Sequence, residues 1–118
     1  MSSYLSLILG AVVGSSLRYA ITLFNFSFSG LPISTALVNI IGSSLAGFFL
    51  HKFNNTAYIF LYIGLFGSFT TLSSFNIEMF TLINDKHFFN AFLFFILNII
   101  ISFLFFYLFH ILSLKIAD

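Results

Sequence analysis

Apolar residues run along this chain in four long blocks, covering 4–24, 33–51, 56–82 and 88–114. A helix needs about 20 predominantly apolar residues to cross the hydrocarbon of a bilayer, so each block predicts one spanning helix. Polar and turn-forming residues separate the blocks at 25–32, 52–55 and 84–87. The pattern predicts an all-α membrane protein with a single domain, residues 1–118, and four transmembrane helices. An even number of crossings places both ends of the chain on one side of the membrane. There is no internal repeat and no low-complexity linker beyond the Phe-rich fourth block.

The third block is the least uniform. Between Gly64 and Phe75 it holds two glycines and five hydroxyl residues, Ser68, Thr70, Thr71, Ser73 and Ser74. These predict a third helix broken mid-membrane, near 67–73. An unpaired backbone group in hydrocarbon costs several kcal/mol, so a break at that depth must face protein, water or an ion. Two readings of the stretch stand. Small and hydroxylated residues let helices pack closely, and a broken helix presents carbonyls and helix ends to ions.

Polar positions on the other helices fall into stripes. Gly10, Gly14 and Arg18 follow at spacing four on the first helix and share a face. The glycines allow a neighbouring backbone to come close. Arg18 is costly inside a membrane and reads either as a topology anchor that snorkels outward or as an attractor of anions at a vestibule. The second helix carries Thr35, Asn39 and Ser43 on one stripe, beside Gly42 and Gly47. Asn39 reads as an interhelical hydrogen bond or as an amide donor offered to an anion. Asn90, Asn98 and Ser102 on the fourth helix, with Tyr107 and His110, either extend a polar track or pack. Glu78, one turn past the break, is open to an interfacial position, a capping role or a pairing with Arg18.

Composition sharpens the class. The chain is 60% hydrophobic and 6% charged, against about 25% charge in soluble domains, which excludes a water-soluble fold. Without cysteine there is no disulfide framework, thiolate nucleophile or cysteine metal site. A net charge of +1 gives no electrostatic reason for a nucleic-acid partner. The first block lacks the basic flank and cleavage site of a signal peptide and is expected to remain as a helix. Lys52 and Lys115 fall on the side of the termini, Lys86 and Arg18 on the other, so the positive-inside rule gives no preferred orientation. A protein that inserts both ways can pair antiparallel with itself, bringing two breaks face to face across a two-fold axis in the membrane plane. A single bundle of 118 residues also has little interior for a solvated path, which points to a dimer.

Three segments stand out together. They are Gly10-xxx-Gly14-xxx-Arg18-Tyr19, Thr35-Ala-Leu-Val-Asn39-Ile-Ile-Gly42-Ser43, and Gly64-xx-Gly67-Ser-Phe-Thr70-Thr71-Leu72-Ser73-Ser74-Phe75 followed by Glu78. This set resembles the Fluc/CrcB family of fluoride channels, and the resemblance covers the first three helices. It implies a fluoride-selective channel in the plasma membrane that exports cytoplasmic fluoride passively and lowers its toxicity. It implies an antiparallel, dual-topology homodimer with two pores. A structural sodium ion is implied at the dimer centre, held by backbone carbonyls of the break, here Gly67 and Thr70; carbonyl oxygens are hard ligands suited to an alkali cation. The implied fluoride pathway comprises Asn39 and two aromatics of the third helix, with the hydroxyls of Thr35, Ser73 and Ser74 and with Arg18. The second aromatic is Phe75. At the first aromatic position stands Leu72.

Leucine lacks the positive ring edge against which fluoride lies as it sheds water. Leu72 therefore sets two expectations against each other: a homodimer that conducts past a leucine, and a heterodimer with a paralogue that supplies the missing ring. The balanced charges favour the homodimer. A channel makes and breaks no bond, so no enzyme activity is expected. The alternative class is a dual-topology small multidrug-type transporter. Such carriers place a carboxylate deep in the first helix, and this chain has none there. A non-conducting membrane subunit is a third class. A cation channel would need an acidic ring at the membrane centre, which the sequence does not provide.

Overall fold

The computed structural model describes residues 2–24, 27, 28 and 30–117. Of the first predicted connection, Asn25, Phe26 and Ser29 lie outside the described residues, as do Met1 and Asp118. Helix α1 (Ser3–Leu23) opens on Ser2, whose hydroxyl accepts the Leu5 N–H at 3.1 Å, as serine does at a free helix start. Its buried residues are Ser6, Gly10 and Gly14, one face at spacing four. A short ribbon follows, with β1 (Ser27–Phe28) antiparallel to β2 (Leu31–Pro32). Gly30 turns it at φ 80°, a backbone that strains any L side chain.

Pro32 closes the ribbon ahead of α2 (Ile33–Phe48), a place where its missing N–H costs nothing. The sequence predicted this helix to 51, but it ends at Phe48. Phe49, Leu50 and Lys52 donate their N–H groups back to Leu45, Gly47 and Phe49 in tight turns. His51 and Asn55 then take left-handed φ of 66° and 56°, a region that His and Asn enter more readily than most residues.

The third block forms two helices. Residues 55–69 make α3, α-helical at Asn55–Tyr58 and Gly67–Phe69, with a wider π-helical winding over Ile59–Phe66 between them. Ser73–Asn84 is α4. Thr70 between them is extended, at φ −79° and ψ 156°. Gly67, expected inside the break, is still helical at φ −64° and ψ −27°. The Thr70 N–H and hydroxyl both donate to the Phe66 carbonyl, at 3.1 and 2.9 Å. This closes the last turn after the glycine, and the break falls at 70–72. The final helix, α5, covers residues 88–117 with a second π-helical stretch at Ile96–Ile101.

The chain is thus an all-α membrane protein apart from its two-residue strands. Ser3–Leu23, Asn55–Asn84 and Phe88–Ile116 are each long and apolar enough to cross a membrane, and Ile33–Phe48 is a shorter apolar helix of 16 residues. Helix α1 lies along α3, and α2 along the second half of α5. Both contacts bring backbone against backbone. A Cβ on Gly10 or Gly14 would overlap the carbonyl oxygen of Phe60 or Leu65, and one on Gly47 that of Phe106. Small residues supply such approach where lipid removes the hydrophobic drive between helices. Helix α4 packs instead on the first turns of α5. Leu31, Phe75, Leu82, Ala91 and Phe94 form a buried cluster there. The third block therefore changes neighbour at its break, from α1 to α5.

Candidate functional site

An unbroken helix would carry the Thr71 N–H to the Gly67 carbonyl, that of Leu72 to Ser68, and that of Ser74 to Thr70. Two of these donors are redirected. The Thr71 N–H donates to Asn39 Oδ1 at 2.8 Å, and the Ser74 N–H to Thr71 Oγ1 at 3.2 Å. The Gly67 and Thr70 carbonyls, the two positions implicated as cation ligands, thereby lose their helical donors. The Ser68 carbonyl accepts Arg18 Nε at 3.0 Å. Among the described residues no group of three or more His, Cys, Asp or Glu side chains could hold a metal ion.

Asn39 is the hinge pin of this arrangement. Besides accepting from the Thr71 N–H, it donates Nδ2 to the Thr71 carbonyl at 3.2 Å. The side chain thus offers Thr71 one donor and one acceptor, as a neighbouring strand would. Nδ2 also donates to Asn98 Oδ1 at 2.6 Å, and Asn98 Nδ2 donates to the Phe94 carbonyl at 2.9 Å. Asn98 is only 4% exposed and lies in the π-helical stretch of α5. The parallel register that brings Asn39 to Asn98 also brings Gly47 to Phe106, so the glycine contact sets the pairing of the two amides.

A pocket of about 210 Å³ opens beside these groups, lined by Asn39, Ser43, Thr70, Thr71, Leu72, Phe75, Asn98 and Ile99. Phe75 stacks on Phe94 with ring centres 5.4 Å apart and planes 16° from parallel. Leu72 lines the pocket yet is 64% exposed, so this wall faces away from the protomer. The Thr71 hydroxyl lies 3.2 Å from Ser73 Oγ and caps the start of α4 through Ser74. Thr71 and Leu72, just ahead of that helix, line the pocket, so its positive end lies beside it, the polarity that suits an anion.

Of the pathway residues predicted from sequence, Asn39, Leu72 and Phe75 line the pocket, and Ser73 and Ser74 adjoin it through Thr71. Thr35 and Arg18 do not. The Thr35 hydroxyl donates to Glu78 Oε1 at 2.6 Å, and Glu78 Oε2 is buried without a partner among the described residues. Glu78 thus meets Thr35, and Arg18 serves the end of α3. Sequence reasoning grouped Asn98 with residues that merely extend a track or pack, and missed it as the direct partner of Asn39. The available signal was the matched spacing of Asn39 with Ser43 and of Asn98 with Ser102 on two helices. Ser102 is buried, and its hydroxyl has no partner among the described residues.

Several known proteins are similar to this chain. The "Fluoride-specific ion channel FluC" of Sulfurihydrogenibium sp. (strain YO3AOP1) is 34% identical over 112 residues, 88% of this chain and 90% of that protein. Proteins of the same name from Elusimicrobium minutum (strain Pei191) and Acinetobacter baylyi (strain ATCC 33305 / BD413 / ADP1) are 37% and 36% identical, over 78% and 72% of both chains respectively. The family described as "CrcB-like protein, Camphor Resistance (CrcB)" matches residues 5–109, a span that takes in the break and part or all of every helix. The chain belongs to the CrcB family.

Proposed function

We propose that this protein is a fluoride channel through which cytoplasmic fluoride leaves the cell passively, working in the plasma membrane as an antiparallel, dual-topology homodimer. The observation that carries the reading is the polar pocket at the break, set in an apolar bundle. Similarity to fluoride-specific channels over most of the chain supports it. In this reading α2, with the turns that follow it, is the fourth crossing.

Fluoride is small and strongly hydrated, so a path must replace its water with hydrogen-bond donors. The pocket offers the hydroxyls of Ser43 and Thr71, the amides of Asn39 and Asn98, and the positive end of α4. Both amide hydrogens of Asn39 are already engaged within the protein. Fluoride takes the place of Asn98 Oδ1 as acceptor, gaining a bond from Asn39 while that oxygen gives up its donor, and the bonds to Thr71 hold the amide still. Ser102, one turn further along α5, continues the donors. Phe75, fixed against Phe94, narrows the path and offers ring-edge hydrogens. An inside-negative potential drives the anion outward by about 2.3 kcal/mol per 100 mV. No covalent step is involved, so the protein is not an enzyme.

Opposed copies bring their breaks together. The Gly67 and Thr70 carbonyls, stripped of their helical donors, suit a sodium ion as hard ligands; when bound, the ion offsets the aligned carbonyl dipoles and ties the protomers. Leu72 favours a second reading, a heterodimer with a paralogue whose aromatic ring would supply what the leucine lacks. The test is fluoride efflux from liposomes holding only this protein, read with a fluoride electrode and with chloride as control. Fluoride flux without chloride flux, indifferent to a proton gradient, is expected. A folded dimer that passes no fluoride would sink the homodimeric channel, and flux restored by a second chain would establish the heterodimer.

A further inference from the structure

Away from the break, the start of α3 and the first turns of α1 leave a groove of about 370 Å³. Phe53, Ala57, Phe60 and Leu61 form its apolar walls, and Ser6, only 1% exposed, lies at its floor. Phe53 stands at the rim, 41% exposed, in the connection that ends α2. Lys52 directly precedes it, with its ammonium 6.0 Å from the centre of the Phe48 ring. No acidic residue occurs before Glu78, so neither α1, α2, α3 nor their connections supply a carboxylate to this lysine. Asp118 lies outside the described residues. The opposite end of the bundle differs. Glu78, Asp85 and His87 line the cavity there, with Lys86 next in sequence to Asp85.

We propose that this groove binds an acyl chain of an anionic phospholipid, with the phosphate at Lys52. The groove suits an amphiphile: phenyl and aliphatic walls, a lysine next in sequence to the rim residue Phe53, and the start of α3 two residues beyond that phenylalanine. Basic positions beside grooves between membrane helices select anionic headgroups, and one lysine near the surface is worth about a fivefold preference. The site is separate from the pocket at the break and independent of the ion that passes there.

The chain contains no tryptophan, so Phe53→Trp installs a sole tryptophan at the rim, excited selectively over the five tyrosines. Its quenching by phosphatidylglycerol with brominated acyl chains is compared with that by brominated phosphatidylcholine at equal mole fraction, in vesicles of unbrominated phosphatidylcholine. The expected result is about fivefold tighter relative binding of phosphatidylglycerol, lost when Lys52→Gln is added. Leu61→Trp, deeper in the groove, repeats the measurement should the rim variant fail to fold. Equal quenching by the two lipids overturns the proposal, as does a preference that survives Lys52→Gln. A tryptophan that neither lipid quenches also overturns it, because a second copy of the chain then covers the groove. Fluoride efflux from the same vesicles is read separately, so loss of transport and loss of lipid preference are told apart.

Discussion

Asn39→Asp changes almost no volume and reverses half of a hydrogen-bond pattern. The introduced carboxylate can still accept the Thr71 N–H, which lies 2.8 Å from Asn39 Oδ1 in the native protein. It no longer donates to the Thr71 carbonyl or to Asn98 Oδ1, which lie 3.2 and 2.6 Å from Nδ2. Two oxygens then face a carboxylate oxygen at hydrogen-bond distance with no hydrogen between them. Each buried acceptor left unmet costs about 1–3 kcal/mol, so the variant should lose about 2–6 kcal/mol, more if charge repulsion is counted. Fluoride efflux should be abolished as well, because a like charge stands in the path. Acid should partly reverse both defects, since a protonated carboxyl regains one O–H donor. The assays are unfolding of the purified variant in mixed detergent and fluoride efflux from liposomes. Native stability with lost efflux would refute the reasoning that Asn39 holds the break, leaving it only as a ligand of the path. Native efflux would remove it from the path.

Asn98→Ala should lower efflux several-fold while costing about 1–2 kcal/mol, because the bonds between Asn39 and Thr71 remain; equal losses in a variant that unfolds would count against the exchange of acceptors. Arg18→Gln removes a charged donor from the Ser68 carbonyl and should destabilise the protein by about 1.5–3 kcal/mol, whereas an interfacial anchor would tolerate the change in the same unfolding assay. Thr35→Val leaves Glu78 Oε1 without its donor, at a cost of about 1–3 kcal/mol, and Thr35→Ser should restore native unfolding. Gly47→Ala forces α2 and α5 apart at the Phe106 carbonyl and should cost about 1–3 kcal/mol, with efflux falling as the amide pairing that depends on this contact is lost.

The helices were legible because a bilayer demands long apolar runs, and those runs are printed in the chain. The π-helical windings at Ile59–Phe66 and Ile96–Ile101 were not, since hydropathy says nothing of how tightly a helix is wound. The break was legible in its glycines and hydroxyls. Its limits were misjudged because Gly67 permits a break, while the doubly bonded Phe66 carbonyl decides where the turn closes. Arg18 sits six residues from the predicted helix end at 24, which left an outward-snorkelling anchor and a vestibule attractor of anions equally open. A helical side chain leans toward the N-terminal turn, and here that direction carries the guanidinium inward to Ser68. Thr35 shares a stripe with Asn39, but the second half of the third block leaves the break on a new course and brings Glu78 to meet it. Contacts that depend on such a change of course, or on the register of two helices fixed by a glycine, are not encoded in the spacing of either helix alone.

The repair of the broken helix and the candidate path share Asn39 and Thr71. Breaking α3 from α4 orphans backbone groups that hydrocarbon cannot satisfy. The repairs come from side chains: Arg18 for the Ser68 carbonyl, Asn39 for both backbone groups of Thr71, and the Thr71 hydroxyl for the Ser74 N–H. Packing of small residues would account for a glycine-rich stretch but not for this division of labour. Bonds to the backbone hold the unwound segment, whereas the bond from Asn39 to Asn98 joins two side chains that can part without unpairing Thr71. An anion can therefore borrow a donor where the structure has a replaceable acceptor, and the frame that keeps the break open stays intact while it does so. In the proposed channel, carbonyls freed at the break and the N-terminus of the following helix would give a single interruption both polarities, one for a cation and one for an anion.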